Sequence, residues 1–180
     1  TAINHVGYGA TKTSRMMKTM VVPVHGVDDG SMLFSVFKAP VPMPRPRWSF
    51  ATGCGGRGGR PYNPASKVMK EWKGIVKGLL FGEENKNKPP IFLRDQSVEV
   101  FCAFRFKRPT SHYKANGKLR TDAPSRPDSC GDTDNYIKYI QDVMNKLVYD
   151  DDVQIVSVWG TKAYREEASV TVQVRPIYLR

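Results

Sequence analysis

Between Gln96 and Lys107 apolar and polar residues alternate, and Val98, Val100, Cys102, Phe104 and Phe106 share one side, which predicts a strand with one buried face. A shorter apolar run, Ser31 to Lys38 (SMLFSVFK), reads as a first strand. It stops at the stretch Ala39 to Arg47 (APVPMPRPR), whose prolines neither a central strand nor a helix interior tolerates. Trp48 to Thr52 resumes extended structure ahead of a flexible glycine loop, Gly53 to Arg60. From Pro64 through Phe81 the period lengthens. Val68, Trp72, Ile75, Val76, Leu79 and Leu80 recur at helical spacing, with Pro64 as a start signal and Gly82 as a stop. A second helix is expected from Thr133 to Leu147, with Ile137, Ile140, Met144 and Leu147 on its buried stripe. Val153 to Trp159 and Ala168 to Ile177 complete the pattern as strands, expected to pair as a hairpin across the Tyr164 to Glu167 turn. The order β-β-α-β-α-β-β predicts an α+β fold, a small single domain with a mixed β-sheet and two main helices.

With 180 residues there is room for one such domain and not for a typical TIM barrel. Residues 1–30 carry Lys12, Arg15 and Lys18, no acid before Asp28 and little periodicity. They are expected to form a flexible basic arm ahead of a folded unit at 31–180. No run reaches the ~18 to 20 apolar residues of a membrane helix, so a soluble chain without a membrane partner is expected. Cys54, Cys102 and Cys130 lack CxxC spacing, and the histidines are scattered, so neither a disulfide scaffold nor a zinc framework is expected. That usage points to a reducing, intracellular compartment, with Cys102 in the core.

Charge sharpens the picture. The net charge of +11 predicts an anionic partner, either nucleic acid or an acidic membrane surface. The acids are unevenly placed: Asp128, Asp132, Asp134, Asp142, Asp150, Asp151 and Asp152 face only Lys138 and Lys146, so the window 128–152 stands at −5. An acidic island in a basic chain is the pattern of a metal site facing a polyanion, although a solvated acidic helix end gives the same count.

Asp132 and Asp134 bracket the expected start of the second helix, where free backbone N–H groups and the helix dipole favour carboxylates. Lys138 stands four residues past Asp134, on the same helix face. An Asp cap with a surface ion pair is the plainer reading of these residues taken alone. The cluster Asp150-Asp151-Asp152 shifts the balance, because adjacent carboxylates repel one another and are costly to order without a cation. A helix of ~14 residues spans ~21 Å, so this cluster meets Asp134 only if the next strand returns past the helix start. Joined to the pair, a third carboxylate makes an all-oxygen site suited to Mg²⁺ or Mn²⁺. Other chemistries fit less well. An EF-hand beginning at Asp132 fails at Ile137 and Val143, and a sugar-nucleotide transferase DxD needs a longer chain. The glycine loop lacks the GK[ST] ending of a P-loop, so no nucleotide cofactor is expected.

Three strings occur in order over residues 33 to 177: Pro42-Met-Pro-Arg-Pro-Arg47, Asp132-Thr-Asp134-Asn135-Tyr-Ile-Lys138 and Asp151-Asp152-Val-Gln154-Ile155. Together they resemble the RusA-type Holliday junction resolvases, small dimeric Mg²⁺-dependent endonucleases with a proline- and arginine-rich entry, D-x-D-N-x-x-K and D-D-x-Q-[IV]. The resemblance implies a RusA-like fold. It makes Asp132 and Asp134 the paired carboxylates, Lys138 the essential lysine, and Asp152, two residues before Gln154, the third carboxylate, with Asp151 as fallback ligand. One departure is Gly131, where the family tends to have proline; the more typical Arg-Pro-Asp string occurs at Arg126-Pro127-Asp128.

The implied chemistry is metal-assisted phosphodiester hydrolysis with water as nucleophile. Lys138 holds the scissile phosphate or the charge on the departing 3′ oxygen. The implied partners are branched DNA, namely four-way junctions, and a second copy of the chain, since a C₂ dimer pairs two cuts by symmetry. Arg45, Arg47, Arg57, Arg60, Lys67 and Lys114 are the expected DNA contacts, Arg45 and Arg47 foremost because prolines stiffen their segment. Trp48, Tyr62 and Trp159 are available for stacking on unpaired bases or for packing. Two rival readings keep the same residues: a non-catalytic basic nucleic-acid-binding module, and a nuclease selective for flaps or forks.

Overall fold

The alternation that starts at Ser97 becomes the long strand at the heart of a mixed sheet. The computed structural model describes residues 19–20, 30–44, 47–49, 60–62, 66–82 and 90–178. Its strands are β1 (Thr19–Met20), β2 (Met32–Val36), β3 (Arg47–Ser49), β4 (Arg60–Tyr62), β5 (Ser97–Lys107), β6 (Ile155–Arg165) and β7 (Ser169–Ile177). Its helices are α1 (Ser66–Phe81) and α2 (Thr133–Met144). The main sheet has five strands in the order β1-β2-β7-β5-β6, while β3 and β4 pair as a separate antiparallel ribbon. This is the expected α+β class.

Alternation decides which face of the sheet is covered. Val98, Val100, Cys102 and Phe104 of β5, Val170, Val172 and Val174 of β7, and Phe34 and Val36 of β2 are all buried on the helix side. Trp72 and Val76 of α1 close the core from above, with Tyr139, Ile140, Val143 and Met144 of α2. Each of these larger side chains contributes ~1.5 to 3 kcal/mol by leaving water. As expected, Cys102 lies in this core, where burial pushes its thiol up to about 12.

Three expectations change. The last two strands do not pair with each other: β5 lies between them, parallel to β6 and antiparallel to β7. Inserting β5 gives that strand hydrogen-bonded neighbours on both edges. The connection 166–168 then spans the end of β5, which is two strand spacings or ~10 Å across and within reach of three residues. Second, α2 ends at Met144 rather than Leu147. Lys146 takes a left-handed φ of 66° and its N–H donates to the Tyr149 carbonyl at 2.9 Å, turning the chain back toward the sheet. Third, β6 continues through Gly160 to Arg165, past the expected end at Trp159.

Within the 1–30 arm, Thr19–Met20 pairs with β2 and Gly30 is described; the rest of the arm lies outside the described residues, as do Arg45, Cys54 and Arg57. Among the described residues, no helix is long and apolar enough to cross a membrane.

Candidate active site

The head of α2 is where the sequence placed its chemistry, and three anchors hold it. Gly131, at φ 82°, turns the chain into the helix, and its carbonyl accepts from Lys162 Nζ of β6 at 2.5 Å. The Tyr136 hydroxyl donates to the Cys130 carbonyl, while its ring packs on Phe104 and Phe106 with centroids 5.4 and 5.3 Å away. Desolvation by burial, then the proximity of Cys130, pushes the Tyr136 phenol up, so it stays a donor. The third anchor comes from the proline-rich entry: the Met43 N–H donates to the Asn135 carbonyl at 3.0 Å. The entry segment therefore runs beside the D-x-D-N turn.

Asp132 occupies the cap position with extended backbone (φ −80°, ψ 139°), yet its side chain makes no capping hydrogen bond. Asp134 follows in the first turn, and both residues are exposed. The carboxylates are thus not consumed by the helix they introduce. The free backbone N–H groups and the helix dipole make this end of the helix a favourable place for acidic side chains.

Beneath the helix head lies Gly160. A Cβ there would sit 2.6 Å from Ile137 Cδ1 and 2.9 Å from Thr133 Cγ2, so α2 lies directly on the strand backbone. An isolated glycine in a strand marks such a close approach, and this was the available signal for a residue the sequence reading passed over.

Two expectations about side chains need correction. Lys138 does not lean on Asp134: its Nζ lies 3.9 Å from Asp142 Oδ1, one turn toward the C-terminus. In the sequence Asp142 counts only as one acid of the 128–152 window, although it stands at the same i,i+4 spacing from Lys138. The Asp150–Asp152 cluster also does not join Asp132 and Asp134. Strand β6 does return past the helix start, but it does so at Gly160, and Ile155 to Gly160 is ~17 Å of strand. The cluster precedes the strand and stays with the far end of α2. Asp150 is bound to Lys146 at 3.0 Å, and both Asp152 and Asp142 act on buried Tyr149, whose phenol is pushed up by desolvation first and then by Cys102 and these acids.

Asp151 has a structural task of its own. Its Oδ1 accepts from the Val153 N–H at 3.2 Å, and Gln154 Oε1 accepts from the Asp151 N–H at 2.9 Å. Gln154 Nε2 in turn donates to the carbonyls of Leu93 and Gln96, fixing the turn under the chain before β5. The Val153 N–H, then the Asp152 carboxyl, holds Asp151 below the usual carboxylate range. Asp152 is the exposed acid of the two. Among the described residues, no three Asp, Glu, His or Cys side chains form a group able to hold a metal ion.

Of the expected DNA contacts, Lys67 is exposed in the first turn of α1 and Lys114 is exposed in the loop before α2. Arg47 and Arg60 lie on paired strands β3 and β4, with Arg47 opposite Tyr62 and Ser49 opposite Arg60. Trp159 is 62 % exposed, on the sheet face away from the helices. The side chains of Trp48 and Tyr62 are outside the described set.

The stretch of chain that builds this sheet and this helix head matches a known class of nucleases. The family described as Endodeoxyribonuclease RusA matches the chain over residues 38–175. The chain belongs to that RusA endodeoxyribonuclease family. It is also similar to Uncharacterized protein YqaN of Bacillus subtilis (strain 168), 29% identical over 151 residues, which cover 80% of this chain and 95% of that protein.

Proposed function

We propose that this chain resolves four-way DNA junctions as a homodimer, cutting phosphodiester bonds with Mg²⁺, which Mn²⁺ can replace. The observation that carries the reading is the Asp132–Asp134 pair, exposed at the head of α2 with the Asp132 carboxylate unused by the cap. Mg²⁺ commonly takes one or two protein carboxylates and fills its other positions with water and substrate phosphate oxygens. The pair fits that demand; a preformed cage of three protein ligands does not fit the described residues.

When bound, the ion neutralises nonbridging phosphate oxygens and lowers the pKa of a water. The chain's own residues do the rest. Asp132 and Asp134 would hold that ion from a helix start that Lys162, Tyr136 and Met43 keep in place. Lys138, exposed and, among the described residues, paired with Asp142 at 3.9 Å, swings to the scissile phosphate and neutralises the departing oxygen. Arg45, Arg47, Arg57, Arg60, Lys67 and Lys114 follow the phosphate backbone, and residues 1–30 add a basic arm to the folded unit.

Labelled four-way junction, fork, flap and linear duplex, each incubated with Mg²⁺ and either the wild-type chain or Asp134→Asn, test this reading. Symmetrical cutting of the junction by the wild type, with binding but no cutting by the variant, is expected. Equal cutting by the variant removes the Asp pair from the chemistry. Preferred cutting of flaps or forks transfers the activity to those substrates, and Mg²⁺-independent binding without product leaves a basic binding module.

A further inference from the structure

The loop between β5 and α2 holds a small two-stranded ribbon that the hydrolytic site does not use. Lys114 N–H donates to the Lys118 carbonyl at 2.8 Å, and Arg120 N–H donates to the His112 carbonyl at 2.9 Å. Tyr113 and Leu119 are the antiparallel partners between those two bonds, so they form a non-hydrogen-bonded pair whose side chains lie close together on one face. The tip turns through Gly117 at φ 76°, closed by Gly117 N–H to the Lys114 carbonyl and by Lys118 N–H to Asn116 Oδ1.

The ribbon is braced at its base. Arg108 stacks 4.5 Å above the Tyr164 ring and donates to the Pro124 carbonyl at 2.7 Å, while His112 packs edge-on against the same ring. Tyr113 is 39% and Leu119 48% exposed.

Alternation places Lys114 and Lys118 on the opposite face from this apolar pair, both exposed. Neither meets a carboxylate among the described residues. One face is therefore apolar and the other cationic. The same loop runs directly into Gly131 and Asp132.

We propose that this ribbon is a strand-separating wedge: Tyr113 and Leu119 enter the crossover of a branched DNA and stack on an opened base, while Lys114 and Lys118 hold the flanking phosphates. The positive face selects a polyanion over a protein partner, and an exposed aromatic ring gains by stacking on a base. The proposal rests on the branched-DNA reading above.

The test uses the full chain, without divalent ion, on a four-way junction carrying 2-aminopurine at the crossover. The wild type is expected to raise its fluorescence on binding. The double variant Tyr113→Ala, Leu119→Ala should bind linear duplex like the wild type and lose about fivefold or more of that rise, with Tyr113→Phe retaining it. Lys114→Ala with Lys118→Ala should weaken binding to all DNA and lower the salt slope by about two. An undiminished rise in the alanine pair overturns the wedge. So does an equal loss of duplex binding, or a change of solution mass that makes the pair a contact between subunits. A wild-type chain that does not bind the junction overturns the parent reading, and that result is visible before any variant is made.

Discussion

Lys162 and Gly131 meet across 31 residues of sequence: the ammonium on β6 donates to the carbonyl that opens α2, at 2.5 Å. Two residues earlier on the same strand, Gly160 lets Thr133 and Ile137 rest on the backbone. The acidic pair therefore takes its position from β6, and the strand's small residue matters as much as its charge.

Gly160→Ala is expected to destabilise the fold by about 1 to 3 kcal/mol, since a methyl at 2.6 Å from Ile137 Cδ1 forces the helix head off the sheet. Cutting should fall further than stability does, because Asp132 and Asp134 move with that turn. Adding Ile137→Val removes the nearest atom and should recover part of both losses. Urea unfolding midpoints of the single and double variants check this, and an unchanged midpoint for Gly160→Ala would remove the close-packing account.

Sequence periodicity made the core legible because burial on one face writes itself as alternation in β5 and as helical spacing in α1 and α2. Neighbour order is not written that way. Alternation in β6 and β7 is satisfied equally by a hairpin or by β5 lying between them, and only the gain of two paired edges for β5 decides. The same limit applied to the acids. The motif D-x-D-N-x-x-K located the helix head, but nothing in the spacing of Asp150–Asp152 said which end of α2 they would keep. That was decided by the left-handed Lys146 turn and by Gln154 binding the Leu93 and Gln96 carbonyls, both of them long-range consequences of packing. The Met43–Asn135 contact was foreshadowed only by the prolines, which remove the entry segment from the sheet and leave it extended beside α2.

A second prediction concerns acid. Arg120 grips Asp122 with Nε to Oδ1 at 3.0 Å and Nη2 to Oδ2 at 2.9 Å, at the base of the ribbon. That hydrogen bonding, then Asp122's own backbone N–H, holds its carboxyl below the usual range. Because the folded value is depressed, the pair's contribution is fully present above the ordinary aspartate value of about 3.9 and disappears as pH falls through the folded value. An NMR titration of the Asp122 carboxyl carbon should give a midpoint below that ordinary value, moving back up in Arg120→Gln. Identical midpoints in the two proteins would mean that the fork does not persist in solution.

The contact between Lys138 and Asp142 yields the last prediction, and it separates a reacting group from its neighbour. Their 3.9 Å pair is exposed on the lysine side and spans i,i+4, a geometry worth only ~0.3 to 0.5 kcal/mol on a helix surface. Breaking it from either end should leave the unfolding midpoint nearly unchanged. The activities should diverge. On the proposed mechanism Lys138→Ala removes the positive charge offered to the leaving oxygen, and it should lower single-turnover cutting by about a hundredfold or more. Asp142→Asn keeps that charge and removes only its tether, so cutting should stay within a few-fold of wild type while the lysine becomes freer to reach phosphate. Single-turnover rates on a junction saturated with enzyme, measured alongside urea midpoints, check both arms. Equal losses for the two variants would show that the ion pair itself is required and that Lys138 does not act at the phosphate.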